Sequence, residues 1–271
     1  MEQLNNNVIG EFFEKLGILE ENDRDEFFKK IDEKHKVNLT QDLDLAVALR
    51  KDKGNGKIYT VKNKDLETTM DFAGYYYDLY RQFFAWFIDF KNSYDKNLDG
   101  KKILDLGCDN GITTCFIANL YPNSEIIGVD KCKKGIKCAE EIAQKLGVEN
   151  VKFEAVDAKK VDKFFKEEKF DLIVSNPPYI RKSDIDGLDR QVKDFEPYNA
   201  LEGGEDGLDF YRKITKESKA FLKNKGILAY EVGHDQAQDV SQIMQENGFE
   251  GIYTKCDLQG FERVVIGFYN N

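Results

Sequence analysis

The sequence predicts an α/β protein: a doubly wound, seven-stranded, mostly parallel sheet over residues 93–271, preceded by a helical N-terminal region over 1–92. Three observations lead there. From Lys101 onward, seven short apolar runs alternate with amphipathic stretches, the pattern of strands buried on both faces and joined by helices. The last two runs are separated only by a short loop around Gly260, so they should pair antiparallel. Residues 1–92 lack the alternation and read instead in helical periods.

In chain order, EFFEKLGIL (11–19), RDEFFKKIDEKH (24–35) and LTQDLDLAVALRK (39–51) are amphipathic, and Thr40 is placed to cap the third. KGNGKIY (53–59) reads as a turn. In DLETTMDFAGYYYDLYRQFFAWFIDF (65–90), Phe72, Tyr76, Leu79, Phe83, Trp86 and Phe90 recur at helical spacing, as a helix packed on the core or a partner-docking surface. The strands follow: KILDLG (102–107), EIIGVD (125–130), VKFEAVD (151–157), FDLIVSN (170–176), GILAYEVG (226–233), GIYTKCDL (251–258) and RVVIGFY (263–269). Each is rich in β-branched or aromatic residues and bounded mostly by Gly, Asp or Asn. Between them, GIKCAEEIAQKLG (135–147) sets Ile136, Ala139, Ile142, Ala143 and Leu146 on one helical face.

With 271 residues, 41% of them hydrophobic, the chain can fill a sizeable core. A formal net charge of -10 argues against general attraction to nucleic acid. The five cysteines, Cys108, Cys115, Cys132, Cys138 and Cys256, form no CxxC pair, and there are two histidines, so neither a metal site nor a disulfide framework is expected. The first residues carry no basic and apolar secretory signal, and no apolar run is long enough to span a bilayer, so a cytoplasmic location is expected, without a membrane partner.

ILDLGCDNG (103–111) is a strand followed by a loop with Gly107 and Gly111, then a helix whose first N–H groups are free for a ligand. Its spacing is not the GxGxxG of dinucleotide-binding loops. Acidic residues end three successive strands, Asp105, Asp130 and Asp157, at the edge where open α/β sheets bind ligands, and an acid there can accept from ribose hydroxyls. The fourth strand ends in Asn176-Pro177-Pro178-Tyr179 beside the same loop. Proline cannot continue a ladder, which leaves carbonyls free to face a ligand. Asn176 adds a side-chain oxygen and Tyr179 a ring to cover a planar group. A planar NH2 suits this set: its hydrogens can be accepted by the Asn176 side-chain oxygen and the Pro177 carbonyl.

DLGxxxG followed by NPPY resembles the S-adenosylmethionine-dependent methyltransferases of planar nitrogens, which act on adenine, guanine or glutamine amides. FEPYNALEGGEDGLDFYRKI (195–214), YEVGHDQAQDV (230–240) and DLQGFERVVIGFY (257–269) narrow this to the release-factor glutamine methyltransferases, the PrmC/HemK family. The resemblance implies a Rossmann-like class I methyltransferase fold. It also implies S-adenosylmethionine as cofactor and methylation of the Gly-Gly-Gln glutamine of a peptide chain release factor. By the same resemblance Asp105, Gly107 and Gly111 hold the methionine part of the cofactor, Asp130 the ribose, and Asp157 with Ala158 the adenine. Asn176 and Pro177 bind the glutamine amide, with Pro178 and Tyr179 beside it, and the helical N-terminal region corresponds to a substrate-recognition domain.

The chain departs from that pattern in two places. Cys108, Asp109 and Asn110 stand where small residues and a middle glycine are usual, and GYYYDLYRQFFAW replaces a Pro-Arg-x-x-Thr-Glu segment. Two other functions share the motif: amino-methylation of adenine or guanine in nucleic acid, and cofactor binding without turnover. His234 and Arg263 are expected to be structural, Arg263 as an anchor for the terminal hairpin, and Gly203-Gly204 to shape a loop over the site.

Overall fold

The computed structural model describes residues 98–271 apart from 158–159, 166, 189–197, 257–259 and 271, together with three strands between 47 and 71 and the single positions Phe12, Lys15 and Phe87. The three strands, β1 (Val47–Asp52), β2 (Lys57–Lys62) and β3 (Glu67–Asp71), form an antiparallel meander in sequence order. This corrects the helical reading of 1–92 at two places. LTQDLDLAVALRK ends in a strand and DLETTMDF begins with one. The KGNG segment favours reversal of the chain, and the Ile58-Tyr59-Thr60-Val61 run has high strand propensity. Its ladders to Ala48 and Thr68 then outweigh the weaker helical preference of those neighbours. The other expected N-terminal helices, the Thr40 cap and the aromatic face from Phe72 to Phe90 lie outside the described residues. Phe12, Lys15 and Phe87 are helical, and Phe12 and Phe87 are buried.

The main sheet has seven strands: β4 (Lys102–Leu106), β5 (Glu125–Asp130), β6 (Val151–Ala155), β7 (Phe170–Ser175), β8 (Leu222–Glu231), β9 (Phe249–Cys256) and β10 (Glu262–Tyr269). Their order is β6-β5-β4-β7-β8-β10-β9. All pairs are parallel from β6 to β8, and β10 runs antiparallel to both β8 and β9, as the short Gly260 loop requires. All seven runs predicted from the sequence are strands of this sheet.

Helices α1 (Ile112–Leu120), α2 (Lys133–Leu146), α3 (Val161–Phe164), α4 (Tyr198–Leu201), α5 (Asp209–Ser218) and α6 (Ala237–Glu246) connect them. Because strand side chains alternate, each strand feeds two cores. Ile103, Ile126, Leu172, Val174 and Ile266 pack with α1 and α2, whereas Leu104, Ile127, Ile173, Leu228 and Val265 pack with α5 and α6. Burial on both faces explains why the strands read as continuous apolar runs. On α2, Ile136, Ala139, Ile142 and Ala143 are buried and Leu146 is packed against the same core. Gly147 closes that helix in the left-handed conformation at φ 66°, which glycine adopts without strain. Among the described residues, no helix is long and apolar enough to cross a membrane.

Phe116 of α1 lies fully buried between the sheet and the N-terminal region, its ring meeting that of Phe12 edge-on at 5.1 Å between centroids. Phe12 and Phe87 belong to the same buried cluster as the α1 residues. Replacement of Phe116 by alanine leaves a cavity where two parts of the chain meet. The expected loss is about 3–5 kcal/mol of stability, measured as a lower urea midpoint at constant m-value.

Candidate active site

Strand β4 has β5 on one side and β7 on the other, so the chain order reverses between β4 and β7. Loops leaving the carboxyl ends of strands on either side of such a reversal diverge and open a crevice, the usual ligand position in open α/β sheets. The Gly107–Gly111 loop follows β4 and the Asn176–Tyr179 segment follows β7. They are held together: the Ser175 hydroxyl donates to the Leu106 carbonyl at 2.8 Å. A Cβ added to Gly107 would stand 4.0 Å from the Asn176 carbonyl oxygen.

On the β4 side, the N–H groups of Gly107 and Cys108 both donate to the Val129 carbonyl, at 2.8 and 3.0 Å, which folds the loop back onto β5. Gly107 has φ 83° and Asp109 φ 46°. Asp109 thus takes the left-handed conformation for which a middle glycine is usual, one that aspartate tolerates better than most side chains. Its N–H donates to Asp130 Oδ2 at 3.2 Å, and Asn110 Oδ1 accepts from the Ile112 N–H at 3.3 Å at the start of α1. The unusual CDN sequence is therefore held by the Asp109 N–H on Asp130 and by the Asn110 side chain at the start of α1. Gly111, at φ 75°, is fixed by packing: a Cβ there would come within 2.9 Å of the Phe153 ring and closer still to the Ala139 side chain.

Asp105 and Asp130 lie at the ends of the neighbouring strands β4 and β5, close enough for their charges to interact, Asp157 follows the next strand, β6, and Ala158 lies outside the described residues. Asp105 is buried and accepts from the Thr114 hydroxyl at 2.7 Å. Burial lifts its carboxyl from an ordinary 3.8 to about 7, opposed by the Thr114 bond and assisted by the nearby Asp130 charge. A buried acid of this kind favours a cationic neighbour. Asp130 is also held above its ordinary range by burial, although the Cys132 and Asp109 N–H groups bond to its two oxygens and pull the other way. Each carboxylate oxygen has a second lone pair, so Asp130 can still accept from a diol. Asp157 is half-buried two residues beyond β6, and its carbonyl accepts from Lys160.

On the β7 side, Asn176 is exposed, Pro177 buried and Tyr179 half-buried. Among the described residues no hydrogen-bond donor reaches the Pro177 carbonyl. The Asn176 side-chain Nδ2 donates to Glu231 Oε2 at 3.0 Å. Arg263, from β10, reaches Glu231 Oε1 at 3.5 Å and the Tyr179 hydroxyl at 3.4 Å, with its guanidinium 5.8 Å from the Tyr179 ring centre. Tyr211 donates to the Glu231 carbonyl at 2.9 Å. Buried Gln236 braces the tetrapeptide by donating to the Tyr179 carbonyl at 3.0 Å. Gly203 packs against the same backbone; a Cβ there would lie 2.7 Å from the Pro178 oxygen and 2.8 Å from the Tyr179 Cα. The glycine turn therefore supports the segment from behind.

Glu231, Arg263, Thr114 and Gln236 are the site residues that sequence reasoning missed. Glu231 ends a strand at the same edge as the three recognised acids, a signal that was available. Arg263 opens β10 as expected, but its head group turns to the site. The His234 ring packs edge-on against Phe261. Among the described residues, no cluster of His, Cys, Asp and Glu could hold a metal.

A glycine loop and acid-ended strands on one side of a switch point, faced by a proline-terminated strand on the other, define an α/β protein built around an adenosyl cofactor. Comparison with known proteins then gives the family: the profile described as "Methyltransferase domain" matches residues 97–260, and the chain belongs to that family. Its fold is that of the class I methyltransferases, whose cofactor is S-adenosylmethionine; the buried acid, the left-handed loop and Asp130 suit that cation and its ribose. A release factor glutamine methyltransferase of Fusobacterium nucleatum subsp. nucleatum is 40% identical over 171 residues, covering 63% of this chain and 48% of that protein. One from Clostridium acetobutylicum is 43% identical over 169 residues, covering 61% and 58%. The chain thus spans about half to three-fifths of the length of these relatives. A solved methyltransferase from Pyrococcus furiosus shares the fold, with a TM-score of 0.50 at 16% identity over 69% of this chain and 82% of that one.

The lifted Asp105 carboxyl links stability to pH. In the unfolded chain the group ionises near 3.8, whereas in the folded protein it keeps its proton to about 7, so the folded state binds more protons between those values. Its contribution is present below 3.8 and is lost as pH rises through 7. Asp105→Asn is neutral in both states, so the fall in Tm between pH 4 and pH 8, without ligand, should be shallower than in the wild type. An equally steep fall in the variant would place the titration elsewhere.

Proposed function

We propose that this chain methylates the side-chain amide nitrogen of a protein glutamine, in the Gly-Gly-Gln motif of a peptide chain release factor. The observation that carries this reading is the end of β7, where the Asn176 side chain and the Pro177 carbonyl, which no donor reaches among the described residues, stand at the switch point beside Gly107. Two acceptor oxygens there match the two hydrogens of a planar NH2. The similarity to the release factor glutamine methyltransferases supports glutamine as its bearer.

In this reading Asp105, Gly107 and Gly111 hold the methionine part of the cofactor, Asp130 the ribose, and Asp157 with Ala158 the adenine. S-adenosylmethionine, when bound, supplies an electrophilic methyl group on a sulfonium sulfur. Asn176 Oδ1 and the Pro177 carbonyl accept the two N–H bonds of the glutamine amide, and Pro178 and Tyr179 pack beside it. The amide nitrogen is a weak nucleophile because its lone pair is delocalised. Holding it in line with the methyl carbon can account for roughly 7–11 kcal/mol of barrier reduction. Positive charge that develops on the amide nitrogen as it takes up the methyl group would be stabilised by Asn176 Oδ1 and the Pro177 carbonyl. One N–H proton is then released to water, so no strong base is needed.

We further place the methyltransferase domain at 93–271 and a substrate-recognition role in 1–92, and assign the protein to the cytoplasm, where ribosome-bound release factors work. Five cysteines without a paired spacing suit that reducing compartment.

Incubation of the full chain with S-adenosylmethionine and release factor should add one methyl group to the Gly-Gly-Gln glutamine by mass spectrometry. Absence of that product, or transfer to adenine or guanine in DNA or RNA instead, would overturn the reading. Asn176→Ala should reduce transfer about 100–1,000-fold while calorimetry shows cofactor affinity unchanged. Asp130→Ala should do the reverse, weakening cofactor binding about 10–100-fold, the loss of one hydrogen bond to a charged acceptor worth about 1.5–3 kcal/mol.

A further inference from the structure

We propose that Glu231 is a positioning residue that makes this site select an amide over a carboxylate, by binding the Nδ2 end of the Asn176 side chain and so fixing which end of that amide faces the substrate. The inference rests on the reading of the acceptor as a glutamine amide.

A side-chain amide has two faces of opposite character, an NH2 that donates and an oxygen that accepts. An exposed asparagine at the end of a strand can turn either towards a ligand. Here the Nδ2 of Asn176 lies 3.0 Å from Glu231 Oε2. An ionised carboxylate can only accept, so the chemistry of the pair, and not merely the placement of atoms, fixes which end of the amide faces Glu231. The Asn176 oxygen is thereby turned away from Glu231.

Glu231 is itself well anchored. Only 13% of its side chain is exposed, Arg263 faces its other oxygen at 3.5 Å, and the Tyr211 hydroxyl holds its backbone carbonyl at 2.9 Å. Arg263 also bonds the Tyr179 hydroxyl, so the carboxylate and the ring beside the acceptor site share one cation. That cation is engaged behind Asn176.

The consequence is that Asn176 turns its oxygen, not its NH2, to the side shared with the Pro177 carbonyl. A glutamine side chain brings two N–H donors to Asn176 Oδ1 and the Pro177 carbonyl. A glutamate, the deamidated form of the same residue, brings only oxygens when ionised and would set lone pair against lone pair. Sites built to pair a particular polar group reject analogues that leave it unpaired by large factors. Without Glu231 the Asn176 amide can rotate by half a turn and present Nδ2 to a carboxylate.

The test uses the full chain at pH 8, above the value of about 7 to which burial lifts the Glu231 carboxyl, with peptides containing Gly-Gly-Gln as substrate and Gly-Gly-Glu as inhibitor. The ratio of the inhibition constant for the glutamate peptide to KM for the glutamine peptide measures the preference. Glu231→Ala should narrow that preference at least tenfold, and Glu231→Gln, which keeps an acceptor oxygen, should fall between it and the wild type. Side-chain amide signals of Asn176 in 1H–15N spectra, assigned with Asn176→Ala, should shift upfield in Glu231→Ala as the charged acceptor is removed. An unchanged preference, or unchanged Asn176 signals, would overturn the proposal. If the wild type transfers no methyl group to the glutamine peptide, the functional reading fails, and the Asn176 signals alone decide whether Glu231 orients the amide. Should Glu231→Ala not fold, the same two readouts on Glu231→Gln decide it.

Discussion

Adjacent placement of β4 and β7 is the constraint on which the rest of the structure depends. Their parallel ladder runs from Ile103 and Leu172 to Leu106 and Ser175, and the Ser175 hydroxyl extends it by one further bond to the Leu106 carbonyl. Beyond that point the two chains part. One turns back over β5 through Gly107 and Cys108, and the other is stopped by two prolines. Everything proposed for the site depends on this separation at a fixed width. The cofactor loop and the acceptor oxygens sit on different strands, yet each is anchored within one or two residues of the shared ladder. Rigid strands can hold such groups to tolerances that loops alone would not.

Electrostatics at the two sides of the crevice differ in kind. Towards β5 and β6 the groups are acids, with Asp105 buried and Asp130 braced by backbone N–H groups. Behind Asn176, a carboxylate and a guanidinium face each other. The pair supplies orientation with little net charge, whereas the acids supply charge that suits a sulfonium and an ammonium. Acidity of the chain as a whole is thus compatible with a cationic cofactor and gives no help in binding nucleic acid.

Much of the fold was legible in the sequence because central strands such as β4, β5 and β7 are buried on both faces and so read as apolar runs, while the edge strands β6 and β9 are marked by β-branched and aromatic residues instead. Asp105, Asp130 and Asn176 could be placed at the carboxyl edge of the sheet because each stands at or just beyond the end of an apolar run. Arg263 could not, since its head group lies across the sheet from residues 84 positions away. Glu231 carries the same strand-end mark as the other acids, but its contact with Asn176, 55 residues earlier, is set by the sheet and by no local pattern. The strands at Val47–Asp52 and Glu67–Asp71 were missed because their residues fit a helical period as well, and pairing with β2 decided between the two. Asp109 was read as an oddity, and backbone geometry shows it adopting the turn for which a glycine is usual.

Gly203 and Gly207 sit within hard contact of the Pro178 and Tyr179 backbone, in a stretch where any side chain would have to occupy the volume of a neighbouring carbonyl. What the sequence LEGGEDG encodes at these points is empty space. The acceptor segment is gripped by a chain that comes close because it has nothing to place between them. The backbone of Pro178 and Tyr179 is therefore held in place, and in the proposed function little conformational freedom would be left for it to lose when a substrate binds.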